Sequence, residues 1–183
     1  MKTLIAVLSV LFLTTIAHAK TKDVPNIFEP KRVSSESIFE GVRLCTQAGY
    51  KLAPKLGAEL WLNYCLCAAD NVRLTRNPLN KKVSAICYKH ATSKNKNGNS
   101  PYFNKKKLVM SSKRIVGVVM NCVSAGQSQQ VPWEFTLPYC GCLMDAARLN
   151  YSAEGKVKVT DEQNKLCTSL ATLRERRSKS TQI

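Results

Sequence analysis

LNYCLCAADNVRL, from Leu62 to Leu74, returns later in the chain as LPYCGCLMDAARL, from Leu137 to Leu149. Leu62/Leu137, Tyr64/Tyr139, Cys65/Cys140, Cys67/Cys142, Asp70/Asp145, Arg73/Arg148 and Leu74/Leu149 all match at one constant offset. The likeness extends outward. Cys45-Thr46-Gln47-Ala48-Gly49 is echoed by Cys122-Val123-Ser124-Ala125-Gly126, and a closing cysteine, Cys87 or Cys167, completes each copy. Spacing varies only between these blocks, as it does where loops adjust their length around a fixed core. An internal duplication accounts for the pattern.

Each copy reads as three helices. In the first copy, Ser35 and Ser37 offer caps, and Ile38, Val42 and Cys45 recur at helical spacing up to Gly49, a terminator by its type. A second helix is expected over about Ala58 to Arg73, stopped by Asn77-Pro78, and a third over about Asn80 to His90. The corresponding helices of the second copy fall at about Ser112 to Ala125, Leu137 to Asn150 and Thr160 to Arg174, with Pro138 marking the start of the middle one.

Residues i and i+2 on an α-helix point about 200° apart, so the two sulfurs of Cys-x-Cys leave opposite sides of the central helix. One sulfur can tie to the helix before and the other to the helix after. For antiparallel neighbours the nearest partners are Cys45 with Cys65, Cys67 with Cys87, Cys122 with Cys140, and Cys142 with Cys167. The expected fold is therefore all-α: about six helices, as two disulfide-clamped three-helix units forming one bundle.

The first nineteen residues follow secretory-signal grammar. Lys2 precedes an apolar run from Leu4 to Ile16, and Ala17-His18-Ala19 is a small-x-small cleavage site. That run is shorter than the roughly 20 residues that a bilayer span requires. Eight cysteines, an even number, in an exported chain read first as four disulfides. Metal sites announce themselves with Cys-x-x-Cys pairs or histidines at ligand spacing, and neither occurs here, so no metal and no cofactor is expected. The segments then run as signal peptide 1–19, extended arm 20–33, first helical unit 34–91, basic linker 92–108, second helical unit 109–175 and frayed tail 176–183.

Charge points to a class of partner. The chain has 28 Lys and Arg against 12 Asp and Glu, a net charge of +16. Between Asn71 and Trp133 there is no Asp or Glu at all. That stretch carries Arg73, Arg76, Lys81, Lys82, Lys89, Lys94, Lys96, Lys105, Lys106, Lys107, Lys113 and Arg114. So one-sided a surface attracts phosphate-bearing partners, although a soluble basic surface without a specific ligand has the same composition. Tyr102 and Phe103 precede Lys105, Lys106 and Lys107, which places aromatic and cationic groups in one loop. Such a pairing suits a lipid interface or the stacking of single-stranded bases, and it equally suits two rings that pin the linker down. The anion- or lipid-binding candidates are thus Arg73, Arg76, Lys81, Lys82, Lys89, Lys105, Lys106, Lys107, Lys113 and Arg114, with Tyr102 and Phe103.

Catalysis finds little support. His90 is the only histidine after the signal segment, which removes a Ser-His-Asp or Cys-His arrangement from at least one copy. Asp70 with Arg73 and Asp145 with Arg148 stand three apart, the spacing of ordinary helix-surface ion pairs. Tyr64 and Tyr139 read as packing beside the bridges, and Trp61 and Trp133 as core or loop anchors. No enzyme and no catalytic residue is expected.

The Tyr-Cys-x-Cys-x-x-Asp phrase, flanked by an earlier and a later Cys in an exported Lys-rich chain, resembles small helical disulfide-linked proteins of Gram-negative bacteria. The chain is similar in this respect to two groups: substrates of type II secretion, some of them helical bundles that engage phosphoinositides through an electropositive cleft, and periplasmic immunity proteins that block type VI amidase effectors. The resemblance covers the cysteine-bearing helices. The duplicated layout departs from the single-unit immunity proteins. The resemblance, with the basic stretch, implies a secreted, effector-like virulence protein, a monomer, docking on anionic phospholipid headgroups of the phosphoinositide kind. The alternatives are a periplasmic inhibitor or immunity protein with an acidic protein partner, and a binder of nucleic acid or anionic glycan.

Overall fold

The computed structural model describes residues 26–77, 79–96, 98–104, 110–151 and 158–181. The described residues hold six α-helices and no strand: α1 (Ser35–Leu52), α2 (Ala58–Thr75), α3 (Lys81–Thr92), α4 (Ser112–Ser128), α5 (Trp133–Leu149) and α6 (Asp161–Ser180), with a 3₁₀ turn at Pro54–Leu56. Four disulfides staple them, joining Cys45 to Cys65, Cys67 to Cys87, Cys122 to Cys140 and Cys142 to Cys167. These are the nearest-neighbour pairs expected of a central helix whose two sulfurs face opposite ways. Closing loops of about this length stabilises by about 3 kcal/mol per bridge, which matters for helices with so thin a core. With no free cysteine, the chain belongs to an oxidising compartment.

The described residues fall into two compact units, and their limits differ from those of the sequence repeat. Unit 1 runs from Glu40 to Lys113, while unit 2 takes the stretch through Phe39 together with the chain from Arg114 onward. The first turn of α1 thus belongs with α5 and α6, and the first residues of α4 belong with α2 and α3.

In unit 1, Gly49 does not end α1, which continues to Leu52. Its value lies in close approach, because a Cβ at Gly49 would overlap the ring of Trp61. Trp61 is 1% exposed and donates its indole N–H to the carbonyl of Ala53 at 3.2 Å. Tyr64 meets Trp61 edge-on and donates to Ser84 Oγ at 3.1 Å. The helix α2 stops where Arg76 turns left-handed at φ 56° and returns its N–H to the carbonyl of Val72. Asn80 caps α3 by accepting from the N–H of Val83 at 3.0 Å. The segment after α3 is tied down at two points: Lys96 pairs with Glu59 at 3.0 Å, and Ser100 donates to Asp70 at 2.6 Å.

In unit 2, α5 begins at Trp133, five residues before Pro138. Pro138 therefore lies inside the helix beyond its first turn, where it can give no N–H to the carbonyl of Glu134 and its ring crowds that carbonyl. Gly126 repeats the device of Gly49, since a Cβ there would overlap Thr136, the counterpart of Trp61. The helix α6 opens with a capping box between Thr160 and Gln163 and runs to Ser180, so most of the expected tail is helical. Residues 26–33 are turns rather than an extended arm: Asn26 Oδ1 accepts from the N–H groups of Phe28 and Glu29. Ser34, not Ser35, caps α1, its Oγ accepting from the N–H of Ser37 at 3.1 Å. No helix among the described residues is long and apolar enough to cross a membrane.

Candidate anion-binding face

The basic stretch acquires a definite geometry on α3. Val83, Ser84, Cys87 and Ala91 are its buried residues, and the Cys67–Cys87 bridge fixes that side against α2. At about 100° per residue, Lys82 and Lys89 fall nearly opposite the buried side, with Lys81 on the flank. All three are exposed. Lys82 and Lys89 stand two turns apart, about 10.5 Å along the axis. No acid occupies the first turn of α3; Lys81 and Lys82 stand there instead, at the end where the helix dipole already favours negative charge. Lys81, Lys82 and Lys89 make no ion pair among the described residues.

Other candidates fall at various distances from this role. Arg76 is exposed at the left-handed cap of α2, and Lys94 is exposed just after α3. Lys113 is half-buried; burial of His90 lowers that histidine's pKa, and the Lys113 charge lowers it further, which Asp70 only partly offsets. Tyr102 and Phe103 are both half-buried. Burial raises the pKa of the Tyr102 hydroxyl. Arg114 belongs to unit 2, where its guanidinium lies 5.2 Å from the ring centre of Tyr151 and donates to that tyrosine's oxygen at 3.1 Å. Lys105, Lys106 and Lys107 lie outside the described residues.

Arg73 leaves the set altogether. Its side chain is 5% exposed and donates to Asp70 Oδ1 at 3.2 Å, to Ser112 Oγ at 2.9 Å and to the carbonyl of Met110 at 2.9 Å. A guanidinium so enclosed and so fully engaged does not meet a ligand at the surface. Asp70 Oδ1 also accepts the N–H of Ser112 at 2.7 Å, at the very start of α4.

The second copy does the same. Asp145 Oδ1 accepts the N–H and the hydroxyl of Ser35, at 2.8 and 2.6 Å, at the start of α1. Arg148 donates to the carbonyl of Val33 at 2.9 Å, to Ser35 Oγ at 3.1 Å and to Asp145 Oδ1 at 3.0 Å. Each Asp-x-x-Arg pair is thus a buried clamp, and each holds the first turn of the helix that opens the other sequence copy. A carboxylate at a helix N-terminus accepts an otherwise unpaired N–H and complements the dipole. Burial raises the Asp145 pKa, against the opposing pull of Ser35 and Arg148, and burial lowers the Arg148 pKa. Both directions have one cause, the loss of water around a charged pair. A signal for the clamps did exist in the sequence: Ser35 and Ser112 stand at matching places in the two copies, as do Val33 and Met110.

Among the described residues no group of three or more His, Cys, Asp and Glu is placed to hold a metal ion. Comparison with protein-family models, with curated proteins and with solved structures finds no match to this chain.

Proposed function

We propose that this protein is a non-enzymatic, exported binding protein that docks through the cationic face of α3 on anionic phospholipid headgroups of the phosphoinositide kind. The observation that supports it is the acid-free, outward set Lys81, Lys82 and Lys89, two of them in a helix first turn that usually carries acids. A phosphate there gains the ammonium charges and the positive end of the helix together. Arg76, Lys94 and Lys113 add positive charge within the same compact unit.

Co-sedimentation with vesicles tests the proposal. Vesicles of neutral phosphatidylcholine should leave the protein in the supernatant, and the same vesicles with a few per cent phosphoinositide should pellet it at moderate salt. Each lysine near an anionic surface contributes about 1 kcal/mol, so Lys81→Ala, Lys82→Ala and Lys89→Ala together should weaken binding about a hundredfold. Equal binding to both vesicles, or none to either, refutes the reading. Secretion, as opposed to periplasmic retention with an acidic protein partner, is part of the same proposal, and fractionation of the producing cells into culture supernatant and periplasm decides it.

A further inference from the structure

Asp70 and Asp145 are counterparts, yet their second oxygens are used differently. In both, Oδ1 takes a helix-starting N–H and the arginine three residues on. At Asp70 the other oxygen, Oδ2, accepts the hydroxyl of Ser100 at 2.6 Å. At Asp145 no donor reaches Oδ2 among the described residues, although the Asp145 side chain is only 5% exposed. The difference has a source in the chain. Ser100 lies beyond α3, which stops at Thr92, so the chain can turn back to Asp70; α6, the equivalent helix, runs on to Ser180.

Asp145 lines a cavity of about 280 Å³ that lies wholly within unit 2. Ile27, Pro138, Leu170 and Leu173 supply its apolar wall. Gly141, which lines the same cavity and stands where the other copy has the buried Leu66, lets α1 come close, since a Cβ there would overlap Glu36. The charge here is uneven. Glu36 binds Arg174 with both oxygens, at 2.7 and 2.6 Å, whereas Arg177, also on the wall, makes no ion pair among the described residues. The volume falls just below the usual range for ligand sites, about 300 Å³ upward, and suits a short piece of extended chain better than a large cofactor.

We propose that this cavity receives a serine- or threonine-bearing peptide segment of another protein, whose hydroxyl donates to Asp145 Oδ2 as Ser100 donates to Asp70. The chain itself shows the mode of recognition in unit 1, where Ser100 is followed by Pro101, Tyr102 and Phe103, and Tyr102 and Phe103 are half-buried. At Asp145 the apolar wall takes the neighbouring residues of the segment. Arg177 favours a segment that also carries a carboxylate.

The test titrates the oxidised, isotope-labelled protein with the acetylated, amidated pentapeptide Asn-Ser-Pro-Tyr-Phe, the sequence of residues 99–103, followed by amide NMR. Saturable shifts at Ile27, Leu170 and Leu173 are expected. The same peptide with Ser→Ala should bind about tenfold more weakly or worse, having lost a hydrogen bond to a charged acceptor. Leu173→Glu, at a residue 51% exposed and so tolerant of change, should abolish the shifts without unfolding the protein. The proposal fails if the serine and alanine peptides bind alike, if Leu173→Glu binds normally, or if millimolar peptide shifts nothing at the cavity. Saturation by a simple alcohol as readily as by the peptide would overturn the assignment to a peptide.

Discussion

Replacing Arg148 by Met should destabilise the protein far more than loss of a surface arginine would. The Arg148 side chain is 3% exposed and donates to the carbonyl of Val33, Ser35 Oγ and Asp145 Oδ1 within 3.1 Å. Removing it leaves the buried Asp145 charge with only the two Ser35 donors. Breaking a buried pair by deleting one member costs about 3 to 5 kcal/mol, against about 0 to 1 for an exposed pair. With a urea slope of about 2 kcal/mol/M, the unfolding midpoint should fall by about 2 M, read by circular dichroism with the disulfides intact. The double variant Arg148→Met with Asp145→Leu should lose less than the sum of the two single losses, because the stranded charge has gone.

The pH dependence carries a definite sign. Burial already raises the Asp145 pKa in the folded protein, so between the unfolded and folded values the native state holds the extra proton. The corresponding stability is full below the unfolded value of about 3.9 and is lost as pH rises through the folded one. Without Arg148 the folded pKa rises further. The cost of Arg148→Met should accordingly be smaller at pH 4 than at pH 7. A loss below about 1 kcal/mol at neutral pH, or strictly additive single and double variants, would refute the clamp.

Gly49→Ala should cost about 1 to 3 kcal/mol and red-shift the tryptophan emission, because a Cβ there overlaps the buried Trp61 ring; unchanged stability and emission would mean that the ring is not held against Gly49. His90 should titrate below its ordinary value of 6.5, since burial and Lys113 both oppose its charging, and Lys113→Ala should move the midpoint upward; a histidine NMR titration reads both. Because that folded pKa is lowered, the stability linked to His90 is present above about pH 6.5 and is lost as pH falls through the folded value.

Much of the architecture could be read from local pattern. Duplicated Cys-x-Cys on a 3.6-residue helix leaves little freedom: two sulfurs about 200° apart can serve only two different neighbours, and the lengths between cysteines choose which. Helix existence followed from apolar periodicity, yet several ends did not. Gly49 and Pro138 carry local signals for a boundary, and packing against Trp61 in one case and the turn made by Pro132 to Thr136 in the other carried the helix past them. Propensity describes a residue in isolation, whereas a helix end depends on what covers it.

The candidate face divides in the same way. The absence of acids between Asn71 and Trp133 is a property of the sequence, and so is the positive potential that follows from it. Which cations can meet a partner is a property of the fold, which puts Lys81, Lys82 and Lys89 outward on α3 and locks Arg73 inward on Asp70. Arg73 and Arg76 look alike in sequence, three residues apart; one is a buried clamp and the other an exposed left-handed cap. Sequence alone determined the duplication, the helical class and the cysteine partnership, because each rests on spacing along the chain. Only the tertiary structure decided that each Asp-x-x-Arg holds the helix opening the other copy, and that Asp145 keeps an oxygen toward a cavity. Those facts depend on residues 42 positions apart in one clamp and 110 in the other meeting in the buried interior.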